Sequence, residues 1–229
     1  MRRIHKGECP NILTSHAAAE LERLENDLAR GRDLNFNSNI YANSEVKNAL
    51  KTSHNKKCAY CERHLNGDFG DVEHFRPKGG YVDERTLKIE KPGYWWLAYD
   101  WSNLLLSCSE CNRSYKKNIF PLEDESQRNI AARDLSGEHP LLINPTEEEP
   151  YDHIEYNRWV ALPKMIEGEE DCRGKKTIEI MRLNDRRDLI EKRKRRWVEI
   201  IEAMNRGIDI TSWTDEDQEF TGMFQNQIN

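Results

Sequence analysis

Asp71-Val72-Glu73-His74-Phe75-Arg76-Pro77-Lys78 lies between two Cys-x-x-Cys pairs, Cys58-Ala59-Tyr60-Cys61 and Cys108-Ser109-Glu110-Cys111, and Asn112 directly follows the last cysteine. Two close thiolate pairs suit one tetrahedral Zn2+, because each pair takes two corners while the intervening chain closes a loop. Such a clasp fixes Glu73, His74 and Asn112 relative to one another, although they are far apart in sequence. A carboxylate, an imidazole and an amide oxygen held together suit metal-assisted hydrolysis of a phosphodiester. Disulfides are the competing reading of the cysteines. The start Met1-Arg2-Arg3-Ile4 has no apolar run behind it. No stretch approaches the roughly 18–20 apolar residues of a membrane span, so a cytoplasmic location is expected and no membrane partner. In that reducing compartment paired cysteines serve as metal ligands more often than as disulfides. Cys9 and Cys172 have no near partner and read as ordinary thiols.

The 229 residues are 37% hydrophobic and 33% charged, with a net charge of −6. That allows a real core and argues against a protein that coats nucleic acid through global attraction. The charge is uneven. Arg186 to Arg196 holds seven basic residues against two acidic ones, while Glu147-Glu148-Glu149 and Asp215-Glu216-Asp217 are acidic. The basic run is either a solvated helix face or a grip for a partner or a nucleic-acid backbone.

Three stretches follow from the patterning: a helical region over 1–50, a core over 51–125, and a mixed region over 126–229. Leu21, Leu24 and Leu28 predict a helix from Ser15 to Arg30, with Ser15 as N-cap and Gly31 as stop. A second helix is expected after Ser44, burying Val46, Ala49 and Leu50. Asn66-Gly67-Asp68 and Gly79-Gly80 signal turns around a short strand at Val72 to Phe75. Lys78 to Pro92 reads as a surface loop. Ser109 is expected to cap a helix from Glu110, with Asn112 in its first turn and Lys116 one turn along the same face. Beyond 126, alternation predicts strands within Tyr151 to Met165 and a long helix from Thr177 to Arg206. The polar end from Thr211 reads as a mobile or docking tail.

Taken together, the acid–His pair at a strand end, Asn103 between, and Asn112 at a helix start resemble the HNH endonucleases. Lys57 to Glu62, Val72 to Lys78, and Tyr94 to Leu122 are most similar to the PtuB-type HNH proteins of Septu and retron-linked antiviral systems. Leu141 to Pro145, His153 to Tyr156 and Thr177 to Arg187 extend the likeness over most of the chain. The resemblance implies an α+β fold: a ββα-metal (HNH) core braced by a four-cysteine zinc knuckle, with helical N-terminal and α+β C-terminal additions. It implies His74 as general base, Glu73 and Asn112 as ligands of a catalytic Mg2+ or Mn2+, and Asn103 as the residue orienting the His74 loop. Cys58, Cys61, Cys108 and Cys111 would hold structural Zn2+. Lys116 and Arg113 are candidate phosphate contacts, with Lys117 behind them. Asp71 is a rival ligand to Glu73. Two features depart from the simplest pattern: Glu73 where Asp or His is commoner, and the 34 positions from His74 to Cys108.

The implied activity is metal-dependent cleavage of nucleic acid, DNA being favoured and RNA such as transfer RNA open, as the effector of an antiviral system. Implied partners are a PtuA-type ATPase and, in retron systems, a reverse transcriptase and its reverse-transcribed DNA. No Walker-type loop occurs in this chain, so ATP chemistry belongs elsewhere. The reading from a different class is a zinc-knuckle adaptor that binds nucleic acid or the ATPase without cutting. One geometric objection attends the catalytic reading: adjacent strand residues point to opposite faces, so Glu73 and His74 share a site only where the strand ends. Tyr94-Trp95-Trp96 is expected to pack in the core rather than stack bases. His64, three residues past Cys61, could ligate zinc, but four cysteines already fill a tetrahedron, and His153 is expected to be structural.

Overall fold

Glu45 decides where the first helix begins. The computed structural model describes residues 1–67 and 70–225, and in it α1 spans Asn11–Ala29, four residues ahead of the predicted Ser15 start. Glu45 Oε1 accepts the Asn11 amide at 2.7 Å, so a distant carboxylate supplies the cap that the local sequence lacks. Gly31, at φ 66°, takes the left-handed conformation just past the helix end, as expected. A single turn, α2 (Ser38–Tyr41), leads into α3 (Ser44–Ser53), where the Asn43 side chain accepts the Glu45 amide. Val46 and Leu50 of α3 are fully buried.

The central stretch supplies β1 (Asp71–His74), a two-residue ribbon of β2 (Tyr81–Val82) and β3 (Ile89–Glu90), and β4 (Leu104–Ser107). The ribbon lies inside the segment read as a loop. Asp68 of the expected turn is outside the described residues. β1 and β4 pair antiparallel, from Asp71 opposite Ser107 to His74 opposite Leu104. Leu104, Leu105 and Leu106 are all fully buried, as a run of leucines requires when both faces of a strand are covered. Each contributes on the order of 2 kcal/mol by leaving water.

A pair of four-residue strands is not stable alone. Here the knuckle extends it, the Ala59 amide bonding the Leu106 carbonyl at 2.9 Å. On the same edge the Leu106 amide donates to His54 Nε2 at 3.2 Å, and burial lowers the pKa of that imidazole to about 3 and so keeps it a neutral acceptor. Tyr94 and Trp95 are buried as predicted, in the turns that lead to β4.

After β4, Glu110–Lys116 winds as a π-helix, with the Lys117 amide bonded to the Asn112 carbonyl five residues back at 2.8 Å. Ser109 makes no side-chain cap. The sulfur of Cys108 takes that role, accepting the Cys111 amide at 3.4 Å.

The C-terminal region holds two hairpins, β5 (Ile154–Asn157) with β6 (Val160–Pro163) and β7 (Met165–Ile166) with β8 (Glu169–Glu170). The predicted long helix is two: α4 (Cys172–Ile180) and α5 (Arg187–Asn205). Asn184, in the break, bonds both the amide and the carbonyl of Ala161, at 3.0 and 2.7 Å, as an added strand residue would. That tertiary pairing outweighs helix continuation. The tail expectation is also corrected as far as Gln225: Phe220, Met223 and Phe224 are buried, and Phe224 stacks on Trp197 at 5.4 Å. Residues 226–229 lie outside the described part.

One buried apolar cluster runs through all three stretches, from Met1 to Phe224. Among the described residues no helix is long and apolar enough to cross a membrane.

Candidate active site

Two polar centres flank the β1–β4 pair, and they differ in kind. The first is closed. The Sγ atoms of Cys58, Cys61, Cys108 and Cys111 lie within 4.8 Å of one another, and all four residues are buried. A tetrahedron of thiolates around Zn2+ has edges of about 3.8 Å, and Cys61 and Cys108 are 3.9 Å apart. The donor set therefore fits one metal ion. Burial raises the Cys58 thiol well above its usual range. At Cys61 burial acts in the same sense, but neighbouring sulfurs and the Arg186 guanidinium bring the thiol well below it. Arg186, fully enclosed, reaches Cys111 Sγ at 3.3 Å. The basic run is thus not uniformly a solvated face: Arg186 and Arg193 turn inward, and Arg187, Lys192, Lys194 and Arg195 remain exposed. Cys9 and Cys172 stand exposed and apart.

The second centre opens on a cavity of about 690 Å³ whose wall includes Glu73, His74 and Asn112. The strand-face objection is met by position, since His74 is the last residue of β1. Beyond it the chain is pinned. Asn103 Oδ1 accepts the Arg76 amide at 2.7 Å, and Asn103 Nδ2 donates to the carbonyls of Arg76 and Leu97 at 3.0 and 3.1 Å. The Tyr94 amide holds the Pro77 carbonyl at 2.9 Å. Gly93 permits that approach: a Cβ there would stand 2.3 Å from the Pro77 oxygen.

His74 Nε2 lies 2.9 Å from the Ala98 carbonyl, which can only accept, so Nε2 carries the proton and Nδ1 the lone pair. Burial pushes this imidazole well below its usual range, and the Lys78 ammonium beside it adds to the effect. Tyr41 meets the ring edge-on at 4.9 Å. A neutral imidazole can accept a proton at its unprotonated nitrogen.

Glu73 is 3% exposed; burial raises its carboxyl above the usual range in spite of the ammonium of Lys116, 2.6 Å away. Lys116 is the main departure from the predicted site. It is fully buried, on Glu73 and on the His74 carbonyl at 3.0 Å, so its ammonium faces protein and not solvent. Arg113 is exposed and grips Asp71, with its Nε 2.7 Å from Oδ2, so both candidate carboxylates, Glu73 and its rival Asp71, have a cationic partner.

Lys47, Lys78, Lys91, Arg113 and Lys117 line the cavity against Asp71 and Glu73, a cationic excess within a chain of net charge −6. Sequence reasoning missed Lys78 and the N-terminal wall of Phe36 and Tyr41. Lys78 stands inside the motif itself, which was the available signal; nothing local marks Phe36 or Tyr41. Neither His64 nor His153 belongs to the sulfur cluster or lines the cavity: the His64 amide bonds Glu219, and His153 Nδ1 lies 3.0 Å from Asp171. A second cavity of about 540 Å³, beside Cys58 and the end of α3, brings together none of the predicted catalytic residues.

No protein-family profile matches the chain. Among curated proteins, it is 43% identical over 163 residues to the Septu protein PtuB of Bacillus mycoides strain KBAB4, covering 71% of this chain and 54% of that protein. It is 26% identical over 193 residues to the Septu protein PtuB of Bacillus thuringiensis, covering 83% and 61%. The chain thus spans a little over half the length of these relatives. A third match, 29% identical over 136 residues, is to the Septu protein PtuA of Bacillus mycoides strain KBAB4 and covers 18% of that protein.

Proposed function

Starting from a chain that is a PtuB-type Septu protein by sequence similarity, we propose that it is a metal-dependent HNH endonuclease acting as the effector of an antiviral defence system. The observation that carries this reading is the convergence of Glu73, His74 and Asn112 on one cavity with a cationic wall. In this reading β1, β4 and the π-helical segment are the ββα core, and the four cysteines hold the Zn2+ that braces it.

His74 is the general base. Its Nδ1 lone pair takes the proton of the attacking water, while the Ala98 carbonyl fixes the tautomer from the other side of the ring. Asn103 is a positioning residue that acts through the Arg76 backbone and sets the ring's place in the cavity. The Glu73 carboxylate and the Asn112 amide oxygen are hard donors suited to Mg2+ or Mn2+. Such an ion, when bound, neutralises charge on the scissile phosphate and stabilises the leaving oxygen. The Lys116 ammonium offsets part of what burial does to the Glu73 carboxyl and holds it in place. Arg113 and Lys117 stand where a nucleic-acid backbone would pass. DNA is the favoured substrate, with RNA such as transfer RNA the alternative, because groups that engage phosphate read neither sugar nor base.

A PtuA-type ATPase is the proposed partner. Support comes from the stretch of a PtuA protein that resembles this chain, and from the lack of a Walker loop here. A retron reverse transcriptase with its reverse-transcribed DNA is the further partner the resemblance suggests.

Plasmid DNA and total RNA incubated with Mg2+ or Mn2+ test the proposal. His74→Ala is expected to lower cleavage at least about 1,000-fold while zinc content and melting temperature stay at wild-type values. Nucleic-acid binding without metal-dependent cleavage by the wild-type chain, alone and with its ATPase, would instead identify a non-cutting adaptor.

A further inference from the structure

The lone pair of His74 does not look into empty space. Lys78 Nζ stands 3.3 Å from Nδ1, the nitrogen that must take the proton. Lys78 lies four residues beyond His74, in the loop that Asn103 and Tyr94 pin, so its approach to the ring is fixed by the same contacts that fix the base. Its ammonium packs over the Tyr41 ring at 4.5 Å and near the Phe36 ring at 5.6 Å. Among the described residues no carboxylate forms an ion pair with it; Glu73 bears on it from longer range, with an oxygen of its own engaged by Lys116.

A cation bracketed by aromatic rings, at the wall of a cavity and without a carboxylate partner, is under-neutralised. Its counterion has to come from outside, and phosphate oxygens match it in charge and in hydrogen bonding. Two cations near it differ on this point: Lys116 is spent on Glu73 and Arg113 on Asp71. Lys47 and Lys117 also line the cavity, but of these lysines it is Lys78 that stands against the imidazole.

We propose that Lys78 grips a non-bridging oxygen of the scissile phosphodiester, and that in the resting protein the same ammonium caps the base nitrogen of His74. Arrival of the substrate phosphate draws the ammonium off Nδ1 and so uncovers the base only when there is a bond to cut. The proposal rests on the nuclease reading above and adds a residue to it. In the step itself, a water oxygen forms a bond to phosphorus and its proton passes to Nδ1. The bond from phosphorus to the leaving sugar oxygen breaks, and that oxygen takes a proton from solvent. Lys78 forms and breaks no covalent bond; it donates hydrogen bonds, which strengthen as charge builds on the phosphate oxygens.

Lys78→Met keeps the alkyl stem against Tyr41 and Phe36 and removes the charge. With the zinc-loaded full chain and a short oligonucleotide that the wild type cleaves, kcat is expected to fall about 100-fold, with KM rising less than about tenfold. Lys78→Arg should recover part of the loss. Melting temperature and zinc content serve as controls for folding. Cleavage by Lys78→Met within about threefold of wild type would overturn the phosphate contact. The capping contact has its own readout, the 15N shift of His74 Nδ1. It should move in Lys78→Met, and in the wild type on titration with thymidine 3′,5′-bisphosphate; a signal unmoved by both would overturn the cap. If the wild type cleaves nothing, the nuclease reading fails and the catalytic role falls with it, while the 15N experiment still decides whether Lys78 covers His74 and answers to phosphate.

Discussion

Cys111 and Asn112 are adjacent in the chain, yet Cys111 is fully buried among sulfurs and Asn112 stands half-buried on the wall of a polar cavity. One residue of helical rotation separates a closed centre from an open one. The closed centre offers four sulfur donors and has its charge offset by Arg186. Nothing further is needed to complete a tetrahedron, which is the signature of a structural metal site. The open centre offers two oxygen donors and an imidazole, too few to satisfy a hard cation without water or substrate. A bound ion there would keep positions free for chemistry. In the nuclease reading proposed above, the sulfur centre holds shape and the open centre is the one that would carry the reaction.

Removing the metal from the closed side should have the largest effect. Site formation of this kind contributes on the order of 10 kcal/mol to folding, and the β1–β4 strands are only four residues long. Stripping zinc with a chelator, or replacing Cys58 with Ser, is expected to abolish the cooperative thermal transition of the central region and with it any cleavage. Zinc content measured beside the melting curve should be one ion per chain. A stripped chain that melts as the native one does would show that the sulfurs are not the brace.

The sequence told most where residues carry their own chemistry and least where a distant partner decides. The cysteine spacing announced the sulfur cluster, and the turn signals around Val72 to Phe75 announced the short strand that ends at His74. The start of α1 was not legible, because its cap is Glu45, 34 positions away from Asn11. The break between α4 and α5 depends on Asn184 meeting Ala161, a contact that exists only after folding. Lys116 reads as a phosphate contact from its place one turn beyond Asn112, but it pairs instead with the buried Glu73 carboxylate of β1, a partner that no local pattern reveals. Lys78, by contrast, stands inside the motif, yet a lysine in a loop carries no local mark of the imidazole 3.3 Å from it.

Lys116 and Lys117 carry the same contrast in miniature. Replacing Lys116 with Met removes one half of a buried pair and leaves Glu73 in a dry site, a change that typically costs about 3–5 kcal/mol. Urea denaturation should register this as a lower midpoint with an unchanged slope. Lys117→Ala, at an exposed position, should stay within about 0.5 kcal/mol of the wild type. A Lys116→Met protein as stable as the wild type would mean that Glu73 is content without its partner, and the open side would lose its fixed carboxylate.

The smallest effect is also the one that locates the nucleic acid. Lys117 contributes to the cationic wall of the cavity, whereas Lys192, Lys194 and Arg195 are exposed on α5. Each phosphate neutralised by a side chain adds about 0.9 to the slope of log affinity against log salt for duplex DNA. In a His74→Ala background, where nothing is cut, Lys117→Ala should weaken binding only severalfold but lower that slope by about one. Substituting Lys192 and Lys194 together should leave the slope where it was. The reverse outcome, an unchanged slope in Lys117→Ala and a reduced one in the α5 variant, would move the nucleic acid to the basic helix. The cavity would then be left with a base and ligands but no backbone passing over them, and a cut would require α5 to deliver its strand across the molecule.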